Sequence, residues 1–63
     1  MQASVGDRYI GKSRMVGQDR VGEIIEVKGP DGMPPYLVRF TDGNESLVNP
    51  GPTDVIQPAG TQN

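Results

Sequence analysis

The 63-residue chain has no cysteine, no histidine and no tryptophan, and its aromatic content is two tyrosines and one phenylalanine. Without cysteine there are no disulfides and no thiolate chemistry, which suits a reducing compartment. Without histidine the commonest metal ligand and the imidazole acid or base are gone. Zinc sites of ordinary type and every Ser-His or Cys-His nucleophile pair are therefore excluded. No apolar run approaches the ~20 residues of a membrane-spanning helix, and no signal-peptide pattern opens the chain, so it reads as soluble and cytoplasmic. Excess positive charge is also missing. Six basic against eight acidic residues give a net charge of −2, whereas nucleic-acid binders usually carry a strongly basic surface. Catalytic, metal and cofactor sites are expected to be none, and the chain is expected not to be an enzyme.

What is present is β-strand patterning punctuated by turns. Residues 20–49, RVGEIIEVKGPDGMPPYLVRFTDGNESLVN, hold both Asp-Gly pairs and read as a three-stranded antiparallel meander. Val21–Lys28 is β-branched and ends at Gly29-Pro30-Asp31-Gly32. Ile24 and Val27 are three apart, so strict alternation fails there. A bulge near Ile25 puts both inside and bends the strand. Gly22 suits a close approach of backbones. Pro34-Pro35 must precede the next strand, because proline donates no ladder hydrogen bond. Within that strand Tyr36, Val38 and Phe40 share the face expected in the core. A three-residue loop, Asp42-Gly43-Asn44, would set Val38 opposite Val48 and Phe40 opposite Ser46, and is preferred to a two-residue turn setting Val38 opposite Leu47. Glu26 and Arg39 are placed to pair across the sheet.

Around the meander, Met1–Ser4 reads as a lead-in and Val5–Ile10 as a turn entering the first strand, with Val5 and either Tyr9 or Ile10 facing the core. Residues 11–19, GKSRMVGQD, form a polar loop whose apolar pair Met15-Val16 either packs on the end of the fold or forms an exposed contact spot. Pro50–Asp54 reads as a rigid turn, a single 3-10 turn capped by Thr53 or Asp54, before a short closing strand at Val55-Ile56. Residues 1–57 then make one domain and 58–63 a disordered tail. A chain this short buries roughly 60% of its unfolded surface, so its stability is on the order of a few kcal/mol.

Val5-Gly6-Asp7, GEIIEV (22–27), GPDGMPPYLVRF (29–40), DGNESLV (42–48) and NPGPTDVI (49–56) resemble an actinobacterial domain-of-unknown-function family, number nineteen-eighteen in the list of such families. The resemblance implies an SH3-like five-stranded barrel and no particular activity. The family often has histidine after the Asp-Gly turn, where this chain has Asn44. More loosely, G-x-I-x-x-V, Y-x-V-x-F-x-D-G and the P-x-x-D-V ending are similar to Tudor and related small barrels. The cage aromatics of those domains are not matched, so their methyl-amine recognition does not transfer.

The expected fold is therefore all-β, a small five-stranded antiparallel SH3-like barrel with no helix beyond a 3-10 turn. The expected function is a protein-binding module of the bacterial cytoplasm, with Arg14, Met15, Tyr36 and Arg39 as contacts from the 11–19 and 29–35 loops. A second reading is weak nucleic-acid binding through Arg8, Lys12, Arg14 and Arg20. In a third the chain self-associates through an edge strand. No membrane partner is expected, and the chain is read as a monomer or weak dimer.

Overall fold

The computed structural model describes residues 2–13, 15 and 17–59. The alternating segments become five strands: β1 (Arg8–Gly11), β2 (Arg20–Val27), β3 (Tyr36–Phe40), β4 (Glu45–Val48) and β5 (Val55–Gln57). All pairings are antiparallel, in one sheet of order β4-β3-β2-β1-β5. The order is compatible with an SH3-like barrel, but the sheet is open: among the described residues no ladder joins β4 to β5. β2 is the long strand on which the rest is arranged. Its first half pairs with β1 and most of its length with β3.

The bulge falls where the apolar spacing requires it, with the β2–β3 register shifting between Ile24 and Glu26. Ile24 is fully buried and Val27 packs against the core, the outcome that strict alternation would have denied. Gly22 lies against β3 so closely that a Cβ would stand 2.7 Å from the Arg39 carbonyl oxygen. Tyr36, Val38 and Phe40 all point inward. With Ala3, Tyr9 and Ile24 they form the core, flanked by Val27, Val48 and Ile56. Tyr9 meets Phe40 edge-to-face at 6.1 Å between ring centres. Burial of a large apolar side chain stabilises by about 1.5–3 kcal/mol, so losing one such group is comparable with the whole stability expected at this size.

The β3–β4 register differs from the expected one by two residues. Tyr36 pairs with Val48 and Val38 with Ser46. The cause is Thr41, whose N–H donates to Val21 O on β2 at 3.0 Å. Phe40 is thus the last residue turned toward β4, its N–H donating to Asn44 O at 2.8 Å. The loop is Thr41-Asp42-Gly43, with Gly43 at φ 90°. A shift of two leaves Val48 on the core side, as alternation requires. Arg39 consequently pairs with Glu45 rather than with Glu26, which lies opposite Leu37 and bonds to Lys28 instead.

Three other expectations change. Val5 is 63% exposed, because Gly6 N–H donates to Ile24 O and Asp7 N–H to Ser4 O, leaving Val5 at the apex of a tight turn. The lead-in is part of the packed structure: Ala3 is buried and its N–H donates to Gly32 O at 2.8 Å. Among the described residues the 3-10 turn is at Pro30–Gly32, where Asp31 takes a left-handed conformation (φ 56°, ψ 36°), and not at Pro50–Asp54. The latter is a plain turn in which Asp54 N–H donates to Gly51 O. Beyond β5, Ala59 N–H donates to Asp7 Oδ1 at 3.0 Å, and residues 60–63 lie outside those described.

Candidate functional site

Cross-strand pairing builds a row of polar side chains across the outer face of the sheet, the face away from Tyr9, Ile24 and Val38. Gln57 lies opposite Arg8, Arg8 opposite Glu23, Glu23 opposite Arg39, and Arg39 opposite Glu45. All five are exposed. On one side the row is flanked by half-buried Val55, Ile10 and Val21, aligned in register. On the other side are Leu37 and Leu47, directly paired, with Leu47 56% exposed. Between β1 and β3 the face carries an open groove of about 550 Å³, lined by Arg8, Val21, Gly22, Glu23, Arg39 and Thr41 among others.

The charges along this row differ in what holds them. Arg39 gives both Nε and Nη2 to Glu45 Oε2, at 3.1 and 3.0 Å. Among the described residues, Arg8 and Glu23 make no ion pair or side-chain hydrogen bond, although their backbones are directly opposite. A guanidinium and a carboxylate on rigid strands, beside an apolar floor and without fixed partners, leave hydrogen-bonding capacity for an incoming chain.

The residues expected to carry contacts are distributed differently. Tyr36 is fully buried, its hydroxyl donating to Gly32 O at 2.7 Å, so it offers no surface. Met15 is 67% exposed and does not pack on the fold. Arg39 is exposed within the groove, while Arg14 and Val16 lie outside the described residues. The structure does not gather Arg8, Lys12 and Arg20 onto one surface. Lys12 pairs with Asp19 at 3.4 Å, and the Arg20 guanidinium lies 3.8 Å from the centre of the Phe40 ring, on the face opposite Arg8.

That inner end is closed by a carboxylate rather than opened as a site. Asp54 accepts from Tyr9 Oη at 2.8 Å, Gly51 N at 2.9 Å and Lys12 N at 3.0 Å. The Gly51 N–H, then the Tyr9 hydroxyl, hold its carboxyl below the usual range. Burial, reinforced by the bond to Asp54, pushes the Tyr9 hydroxyl up to about 12. The Ser13 N–H likewise lowers Asp19. Each group is satisfied by the fold itself, so the cluster reads as a tie between β1, the 11–19 loop and the 50–54 turn. Among the described residues no group of three carboxylate, histidine or cysteine side chains is placed to hold a metal ion, and no helix is long and apolar enough to cross a membrane.

The sequence model of a family described as "Domain of unknown function (DUF1918)" matches residues 1–56. The chain belongs to this family. Among DUF1918 relatives, an uncharacterized protein of Mycobacterium tuberculosis is 43% identical over 65 aligned residues, covering 100% of this chain and 74% of the relative. An uncharacterized protein of Mycobacterium bovis is 43% identical over 58 residues, covering 89% of this chain and 72% of the relative. No solved structure matches the chain. The actinobacterial DUF1918 assignment thus agrees with the motifs at 22–27, 29–40 and 49–56.

Glu23 is a groove residue that the sequence did not single out, because its place between Arg8 and Arg39 depends on register. The available signal was β2 parity counted back from the bulge, which puts Glu23 and Arg39 on the outer face together.

Proposed function

We propose that this DUF1918 chain is a non-enzymatic protein-binding module of the bacterial cytoplasm, with its contact surface on the outer-face groove at Arg8, Glu23, Arg39 and Thr41. The observation that carries this reading is Arg8 and Glu23, without an ion-pair partner among the described residues, beside an apolar floor in a groove of about 550 Å³. A docking chain can engage both charges without first breaking an internal ion pair. The groove offers guanidinium, carboxylate and hydroxyl groups, with no imidazole or thiol anywhere in the chain. That inventory suits recognition better than nucleophilic chemistry. The nucleic-acid reading is less favoured, since Lys12 is paired with Asp19 and Arg20 lies over the Phe40 ring, on the face opposite Arg8.

The test is a photo-crosslinking residue at position 41, used to capture partners from native lysate with and without nuclease. The expected result is one defined protein, retained after nuclease and lost in Arg8→Gln/Arg39→Gln. Capture abolished by nuclease would transfer the site to a nucleic acid. Capture that survives the double substitution would remove the groove from consideration.

A further inference from the structure

Among the described residues the open sheet has two edges with no strand paired to them, and they differ in what they present. Ile24 exchanges hydrogen bonds with Gly6 and Asp7 on the β1 side, which fixes the alternation across β1. Val55 and Gln57 therefore turn their backbone groups toward Ile10 and Arg8, and Ile56 turns outward. The next outward position is Pro58, which has no N–H, so the β5 edge is blunted. On the other edge, the Phe40–Asn44 bond sets Ser46 and Val48 toward β3 and leaves Glu45, Leu47 and Asn49 facing outward. All three have an N–H. Leu47 is 56% exposed and lies beside Leu37 on the outer face.

From these observations we propose that β4 is the pairing edge of a homodimer, in which two copies join antiparallel about a two-fold axis at Leu47 and the sheet continues through both. A two-fold interface must complement itself, residue by residue. About Leu47 it does: the two Leu47 side chains meet, each backed by its own Leu37, in one apolar row. Glu45 falls opposite Asn49 of the second copy, and Ser46 opposite Val48. No like charges face each other, and Glu45 arrives already bound to Arg39. An axis at Glu45 would instead set two carboxylates opposite each other, which is unfavourable. The edge that lacks a proline is thus also the one whose side chains suit a second copy. This pairing is independent of the groove between β1 and β3.

Sedimentation equilibrium of the full chain across micromolar to millimolar concentrations provides the test. The expected mass rises from 6.8 kDa toward twice that value, with the Leu47 amide becoming protected from hydrogen exchange as it does. Leu47→Pro removes an outward N–H while leaving the β3 ladder untouched, a substitution that edge strands tolerate. It is expected to stay at the monomer mass at every concentration while keeping the Tyr36–Val48 contact in NMR spectra. Should that variant fail to fold, Leu47→Lys places like charges at the axis and is expected to give the same monomer mass. A wild-type mass that never rises overturns the proposal. So does a folded Leu47 variant that dimerises as the wild type does.

Discussion

Replacing Asp54 with alanine should remove a large share of this domain's stability, although the side chain is neither in the core nor in the groove. Its carboxylate takes three hydrogen bonds, from Tyr9 Oη, Gly51 N and Lys12 N, between 2.8 and 3.0 Å. A hydrogen bond to a charged group contributes a net of about 1.5–3 kcal/mol. Water can replace the carboxylate at the exposed Lys12 amide, and the three bonds are not additive. A loss of about 2–4 kcal/mol is the resulting expectation, against a total on the order of a few kcal/mol. Urea unfolding followed by circular dichroism reads this directly. With a slope of about 1 kcal/mol per molar, the midpoint should fall by about 2 M or more. Tyr9→Phe removes one of the bonds and should cost about 1 kcal/mol, with a double-mutant cycle showing coupling between the two positions. The pH dependence has a definite sign. Because folding lowers the Asp54 carboxyl, its contribution is complete above the unfolded value of about 3.9 and disappears as pH falls through the folded value. Asp54→Asn should flatten the acid limb of stability against pH. An Asp54→Ala variant within about 0.5 kcal/mol of wild type, the range of an ordinary surface substitution, would refute the tie.

Three further outcomes follow from single contacts. Gly22→Ala puts a Cβ 2.7 Å from the Arg39 carbonyl oxygen and should cost about 1–3 kcal/mol as overpacking; an unchanged thermal midpoint would mean that β2 and β3 are not so close. Arg20→Gln removes the guanidinium from the Phe40 ring and should cost about 0.5–1 kcal/mol, seen as a small urea shift that disappears in a Phe40→Leu background. Tyr9, pushed up to about 12, stays neutral in the folded state while the unfolded chain ionises near 10. Its stabilising effect is complete below about pH 10 and is lost as pH rises toward 12; phenolate absorbance that appears well before unfolding would contradict this.

Most of the strand plan was legible because it rests on local chemistry. The failure of alternation between Ile24 and Val27 located the bulge, and Tyr36, Val38 and Phe40 identified one buried face. The hairpin register was not legible, since it is decided by where the Thr41 N–H goes, and that acceptor is Val21 O, twenty positions upstream. Asp54 was readable as a turn residue. Its bond to Tyr9, 45 positions away, is a tertiary fact with no local signature. The resemblance to a small barrel carried the number of strands and their antiparallel pairing, while closure depends on a β4–β5 ladder that is absent among the described residues.

The groove follows the same division, and one substitution exploits it. Parity alone places Arg8, Glu23 and Arg39 outward; register alone makes them neighbours, and it also decides that Arg39 is tied to Glu45 while Arg8 is not. Removing the charge at position 39 therefore changes two things at once, a surface ion pair of up to about 1 kcal/mol and any contact with a partner. Removing it at position 8 changes one. Arg8→Gln should leave the urea midpoint within the ordinary range for a surface substitution, about 0.5 kcal/mol, and still weaken capture at position 41. Capture that falls only in step with stability across Arg8→Gln and Arg39→Gln would mean that the row supports the sheet and does not recognise a partner. Capture that falls at position 8 with stability intact would assign recognition to the unpaired guanidinium.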